Sequence, residues 1–299
     1  MIGNWGNKNF RSLTSIPIKS FGLNEKAVKT RMKAVSSIGK ITKAMKMVAS
    51  SKMRADLSRL MNGKNFGYQL APAILESDSY VKKKQVETKN NKILLLPITT
   101  DRGLCGGINS NLLRELRTTI SKDREKYSII CIGEKGGQSL ARPFPDLLKE
   151  TINELAAPLN FYNVSVVANY IINSNYQFDS INIFYNEFIN SINSKVRIME
   201  LMNAENFIKN FSHLCRYDVS LPENDTAKNY FYELYVASSL YHCLLQNAAC
   251  EQSARMNAME SASKNAKEIV AKLNLMYNKA RQARITMELV EIISGASAL

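Results

Sequence analysis

The chain is 299 residues long, carries a formal net charge of +14, and is 45% hydrophobic. That length allows one large domain or two ordinary ones, and the apolar share suffices for a packed core, which excludes global disorder. Five cysteines without paired spacing, two histidines and no apolar run of transmembrane length argue against a disulfide framework, a zinc site and a bilayer-spanning segment.

The excess charge lies in the first third. Residues 1–92 hold 19 Lys+Arg against 5 Asp+Glu, and from Lys26 to Arg54 nine basic residues occur without one acid. A solvated helix face ordinarily carries Glu–Lys pairs four residues apart, so an acid-free run points to a partner of negative charge. Residues 1–22 form a basic segment with Lys8, Arg11 and Lys19, no secretory apolar core and no acid before Glu25, which is the composition of a mitochondrial transit peptide.

Residues 23–78 read as one long helix with Asn24 as its N-cap. Ala34, Ile38, Ile41, Met45 and Val48 recur at spacings of 4, 3, 4 and 3, which predicts a coiled-coil seam with the lysines mostly outside it, and the pattern runs on loosely through Met53, Leu57 and Leu60. Pro72 marks a kink or a late break. The polar, Lys-rich residues 76–91 read as a loop.

Residues 79–226 read as an α/β domain with its connecting loops. Lys92–Thr100 is an apolar run of strand length, followed by the turn DRGLCGG (Asp101–Gly107) and a helix to about Ser121. Tyr127–Ile132 is a second strand leading into a short helix near Lys135–Ala141. A helix over Asn163–Asn173 and strands at Ser180–Phe188 and Val196–Met202 follow. Alternating strands and helices predict a parallel layer. Residues 204–226 look irregular.

Residues 227–299 form a second long helix, with neither Pro nor Gly until Gly295. At 1.5 Å per residue it would span on the order of 100 Å. Met259, Ala262, Ala266, Ile269, Leu273, Met276, Ala280, Ala283, Met287 and Val290 alternate spacings of 3 and 4. Leu234, Ala237, Tyr241, Leu244 and Ala248 keep the rhythm upstream, with an 11-residue gap from Ala248 to Met259. The two terminal stripes are natural partners, and their many alanines would let the backbones approach closely.

The turn DRGLCGG sits where phosphate-binding loops sit, between a strand and a helix. It lacks the G-x-G-x-x-G order and the Gly-Lys-Ser/Thr of a P-loop, so Gly103, Gly106 and Gly107 read first as turn-formers. No acid pair, triad or metal cluster stands out, so no catalytic residue, metal or cofactor is assigned. A nucleotide-dependent enzyme built on this turn is one competing reading, and a basic coiled-coil nucleic-acid binder is another. The second lacks the aromatic-studded basic surface of single-strand binders, and a long 3–4 seam serves no DNA purpose.

Four segments, KITKAMKMVASSKM (Lys40–Met53), TDRGLCGGINSNL (Thr100–Leu112), EQSARMNAMESASKNA (Glu251–Ala266) and YNKARQARITMELVEIISGASAL (Tyr277–Leu299), closely resemble the γ subunit of F-type ATP synthases. The resemblance covers both ends and the start of the α/β layer; residues 121–250 are less diagnostic. It implies a long antiparallel coiled coil of the N- and C-terminal helices plus a Rossmann-like α/β domain. It also implies a non-catalytic rotor inside three α and three β subunits, with its foot on the c-ring beside ε-type and δ-type stalk subunits. On this resemblance the protein is peripheral to the mitochondrial inner membrane, on the matrix side, and binds no nucleic acid. Met45, Arg255, Arg281, Gln282 and Thr286 match family positions that touch β, whose acidic segments face the basic shaft. The final IISGASAL would reach an apolar collar at the top of the ring. The cysteine-bearing insertion of the chloroplast type is missing, so light-dependent redox control is not expected.

Overall fold

The computed structural model describes residues 25–75, 92–155, 157–174, 176, 178–211 and 225–298. The basic segment 1–22, the Asn24 cap, the loop 76–91 and residues 212–224 of the stretch expected to be irregular lie outside the described residues. The chain divides into two compact units, one spanning Ile41–Ala262 and one combining Met1–Lys40 with Ser263–Leu299.

The unit Ile41–Ala262 contains a five-stranded sheet in the order β3-β2-β1-β4-β5. The strands are β1 (Ile93–Pro97), β2 (Tyr127–Ile132), β3 (Leu148–Ile152), β4 (Ser180–Phe188) and β5 (Ser194–Met202). Strands β1 to β4 run parallel, as the strand–helix alternation predicts, while β5 pairs antiparallel with β4. A connection of only residues 189–193 separates β4 from β5, too short for a crossover, so the chain can only turn back. No apolar run announces β3. It is an edge strand with Lys149 in water, and it lacks the signature of a strand covered on both faces.

The helices between the strands are α2 (Ile108–Ile120), α3 (Glu134–Ala141) and α4 (Phe161–Ile172). The unbroken apolar run of β1 serves two layers by alternation. Leu95 packs with Leu112 and Leu116 of α2, Leu140 of α3 and Phe184 of β4. Leu94 and Leu96 point the other way, toward Val164 and Ile171 of α4 and toward Tyr235, Leu240 and Leu244 of the C-terminal helix α6 (Asp225–Ser297). A further helix, α5 (Ala204–Phe211), occupies part of the stretch expected to be irregular. Asn203 starts it by accepting the Asn206 N–H at 2.9 Å, and Phe207 stacks on Tyr235 with ring centroids 5.1 Å apart.

Part of the N-terminal helix α1 (Glu25–Leu75) also belongs to this unit. It continues past Pro72 to Leu75. Leu60 packs with Leu245 and Ala249, and Lys46 pairs with Glu260 at 3.1 Å, so α1 and α6 run antiparallel here. In the second unit Gly39 lies against Ala266 and Glu25 pairs with Arg284, again antiparallel.

The phase of the α1 seam differs from expectation. Ile38, Ile41 and Val48 are 53%, 57% and 57% exposed. The residues facing α6 are Val28, Met32, Val35 and Gly39 in one unit, and Thr42 and Ala49 in the other, where Met53, Leu57 and Leu60 also face inward as expected. Sterics decide the phase. A Cβ built on Gly39 would stand 3.3 Å from the Ala266 Cβ, so the backbones touch through small side chains and isoleucines cannot enter. On α6, Met259, Ala266 and Leu273 are buried as expected. Ile269 and Met276 are exposed, and Val270 and Tyr277, one position later, are half-buried in their place; beyond Ala280 the expected seam residues Ala283, Met287 and Val290 are exposed as well.

Adjacent residues therefore give opposite results. Val48→Asp should change the unfolding free energy of the purified chain by no more than about 0.5 kcal/mol, whereas Ala49→Asp should cost about 2 kcal/mol or more. Denaturant titration of the two variants checks the phase.

Candidate functional site

The DRGLCGG turn is built inward. The Thr100 hydroxyl donates to the Arg102 carbonyl at 2.8 Å and accepts from the Asn109 side-chain amide at 2.8 Å. The Asp101 carboxylate accepts the Glu134 N–H at 3.0 Å, and so caps α3. The turn's aspartate thus places a negative charge at the positive end of α3, while the helix the turn itself leads into, α2, starts at Gly107 without a side-chain cap. Cys105 is buried with Ile108, Cys250 and the partly buried Phe188 and Ala254.

That last cluster fills the crevice the topology leaves open. The order β3-β2-β1-β4 changes direction between β1 and β4, and open α/β sheets bind ligands beyond the carboxyl ends of the strands at such a point. Here the turn after β1 and the end of β4 close on Cys250 and Ala254 of α6. A groove of about 550 Å³ lies beside Lys92, Asp179, Asn203 and Tyr232, at the opposite ends of the same strands. The arrangement mounts a helix and offers no phosphate cradle.

A row of polar side chains on α6 fastens this junction. Gln246 accepts the Phe188 N–H at 2.9 Å, Asn247 accepts from Asn186 at 2.8 Å, and Cys250 meets the Asn186 carbonyl at 3.3 Å. Ser253 and Asn257 both donate to the Ser191 carbonyl, at 2.6 and 2.8 Å. Sequence reasoning missed these residues. For Cys250, Ser253 and Asn257 the signal was the 11-residue gap between Ala248 and Met259, where the seam rhythm gives way; Gln246 and Asn247 lie just before it.

The expected contact residues fall into two groups. Arg255 is only 12% exposed at its side chain; it pairs with Glu251 at 2.6 Å and donates to the Gly103 carbonyl at 3.4 Å, so it ties the turn to α6. Met45 is half-buried on α1. Arg281, Gln282 and Thr286 are exposed on α6, with the Thr286 hydroxyl donating to the Gln282 carbonyl at 2.9 Å. Helical geometry places Gln282, Thr286, Leu289 and Ile293 in one line on the side opposite Arg284, which pairs with α1.

Of the three turn glycines, only Gly106 has a left-handed backbone, at φ 63°; Gly103 has open space around it and Gly107 an ordinary conformation. The tighter constraint sits in GEKGG after β2. A Cβ on Gly136 would lie 2.5 Å from the Cys131 Sγ and the Thr99 Oγ1, because the Gly136 N–H donates to that hydroxyl at 3.0 Å. Gly136→Ala should therefore destabilise the chain by about 1–3 kcal/mol, while Gly103→Ala should leave the unfolding midpoint unchanged.

Three of the buried thiols are held protonated by burial. Burial pushes Cys131 and Cys250 up to about 12, and raises Cys243 as well. A thiol reagent at pH 8 should leave these three unmodified in the folded chain and label them in denaturant. Because their folded values lie above the ordinary 9.0, their stabilising effect is complete below that pH and is lost as pH climbs from about 9 toward 12. The unfolding midpoint should fall across that window.

A family model described as ATP synthase matches residues 24–299. The mitochondrial ATP synthase subunit gamma of Ipomoea batatas is 37% identical, covering 93% of this chain and 86% of the relative. A chain of the Tetrahymena thermophila mitochondrial ATP synthase, in a structure of its central stalk and c-ring, is 44% identical. That match has a TM-score of 0.67 and covers 75% of this chain and 99% of the other. A chain of the Euglena gracilis mitochondrial ATP synthase, 21% identical, shares the fold with a TM-score of 0.73 over 92% of this chain and 94% of its own length.

Proposed function

This chain belongs to the ATP synthase gamma-subunit family, and from that premise we propose that it is the rotating central shaft of an F-type ATP synthase. It is part of a rotary complex, and in our reading it does no chemistry itself. Proton flow turns the c-ring, the sheet-bearing foot turns with it, and the long helices force three β subunits through their catalytic states between three α subunits. The ε-type and δ-type stalk subunits sit beside the foot. The relatives from Ipomoea and Tetrahymena are mitochondrial, which supports a mitochondrial location. We place the protein on the matrix face of the inner membrane, held there by its partners. Among the described residues no helix is long and apolar enough to cross a membrane.

One observation carries the shaft reading. Beyond Arg284, α6 carries a broad exposed apolar surface: Ile285, Met287, Leu289, Val290, Ile292 and Ile293 are between 41% and 67% accessible, and only the side holding Glu288 and Glu291 is charged. An apolar patch of that extent on a solvent-facing helix calls for a covering partner, and a closed collar of subunits covers it without a directional grip. Below that collar we assign Met45, Arg281, Gln282 and Thr286 to contacts with β. The acid-free run from Lys26 to Arg54 then faces the acidic segments of β and steers by charge without a tight apolar lock. Arg255 has a different role in this reading, because it can reach β only by leaving Glu251 and Gly103.

The complex should be drawn from membranes in mild detergent with α and β subunits attached; their absence would overturn the assignment. Replacing Arg281 and Gln282 together by Ala should lower ATP hydrolysis by the assembled complex about five-fold or more, the scale of losing ~1 kcal/mol of contact. Unchanged turnover would remove both from the contact surface.

A further inference from the structure

Apolar packing resists rotation of a helix about its own axis only through the fit of its side chains, because the hydrophobic attraction itself is non-directional. Hydrogen bonds to a strand backbone are directional and stiff. On α6 the two kinds of contact occupy different stretches. Tyr235, Val236, Leu240, Cys243 and Leu244 give apolar cover to the sheet. From Gln246 onward the face turned to β4 and the connection to β5 is polar. Gln246, Cys250, Ser253 and Asn257 follow one another at spacings of 4, 3 and 4, so they form a single line along the helix. Each ends on a backbone group of residues 186–191, and Asn247 adds the buried bond to Asn186. Three of these anchors are buried: Asn247, Cys250 and Ser253 are 4%, 1% and 5% exposed. Turning α6 by one residue's angle would break the whole row at once.

We propose that Gln246, Asn247, Ser253 and Asn257 form a rotational key, positioning residues that fix the azimuth of α6 on the sheet and carry torque between the two. The inference rests on the rotor reading and says where, within this chain, torque crosses from sheet to helix. It separates two activities of the assembled complex. ATP hydrolysis needs the helix to turn among the catalytic subunits, whereas ATP-driven proton pumping also needs the sheet to turn with it.

The test is the variant combining Gln246→Leu, Ser253→Ala and Asn257→Ala in the complete membrane-embedded complex, with hydrolysis and ATP-driven pumping measured in the same vesicles. Hydrolysis should stay within about two-fold of the parent while pumping per ATP falls about five-fold or more, the scale on which a lost hydrogen bond shifts an equilibrium. Ser253→Thr, which keeps the hydroxyl, should pump normally. If the combined variant fails to assemble, Ser253→Ala and Asn257→Ala are read singly by the same ratio. Pumping and hydrolysis falling in proportion would make the row a folding element only and overturn the proposal, as would unchanged pumping. A parent complex that hydrolyses ATP without pumping would overturn the rotor reading itself.

Discussion

The structure around the sheet depends on one helix lying across the carboxyl ends of β1 and β4. An open α/β sheet with this strand order leaves a crevice there, and a ligand ordinarily fills it. Here Cys250 and Ala254 of α6 fill it, against Cys105, Ile108 and Phe188. The rest follows from that substitution of a helix for a ligand. The turn after β1 folds inward to meet α6, its aspartate caps α3, and its arginine neighbour on α6, Arg255, donates to the Gly103 carbonyl. The cysteines at the junction are packing residues, with Cys250 held protonated by burial. A fold that elsewhere serves as a container serves here as a mount.

Periodicity in the sequence revealed two long helices with small-residue seams, and it located β1, β2, β4 and most of the intervening helices. It could not reveal the phase of the α1 seam. Hydrophobicity ranks Ile38, Ile41 and Val48 above Gly39, Thr42 and Ala49, yet the latter face α6, because a seam this close has no room for branched side chains. The information that decides the phase is volume at the point of closest approach, and it becomes visible only with the partner helix in place. On α6, Met259, Ala262, Ala266, Leu273 and Ala280 were placed correctly, and Ile269, Met276, Ala283, Met287 and Val290 were not. Edge strand β3 escaped for the opposite reason: with one neighbour and Lys149 in water, it needs little apolar character to form.

The candidate site was legible as a turn, but not which of its glycines the turn needs. DRGLCGG stood out because glycine clusters between a strand and a helix signal close backbone approach. Only Gly106 there needs its freedom, while the tightest approach is at Gly136, in a segment with no recognised motif. The polar row on α6 left a trace, an interruption of the heptad rhythm over Ala248–Met259. On its own such a gap reads as a change in supercoil pitch. The residues inside it and just before it become meaningful once the backbone groups of 186–191 are seen to accept or donate to them.

The contrast along α6 carries a mechanical argument. Where the helix meets its own sheet, contact is made by directional bonds to backbone, which resist rotation. Near its far end, Ile285, Leu289, Val290 and Ile293 offer only apolar surface, and the exposed basic residues of α1 offer only charge. Neither of those has a preferred azimuth: hydrophobic contact follows area and screened charge follows distance. A part that must be fixed to one body and turn freely in another needs that division. A continuous row of directional bonds at the far end would trap the helix at each orientation that satisfied them, whereas the few polar contacts of Arg281, Gln282 and Thr286 can break and re-form, and at the sheet such a row adds to the packing in resisting slip under load. The distribution of polarity along a single helix is therefore what separates a joint from a bearing.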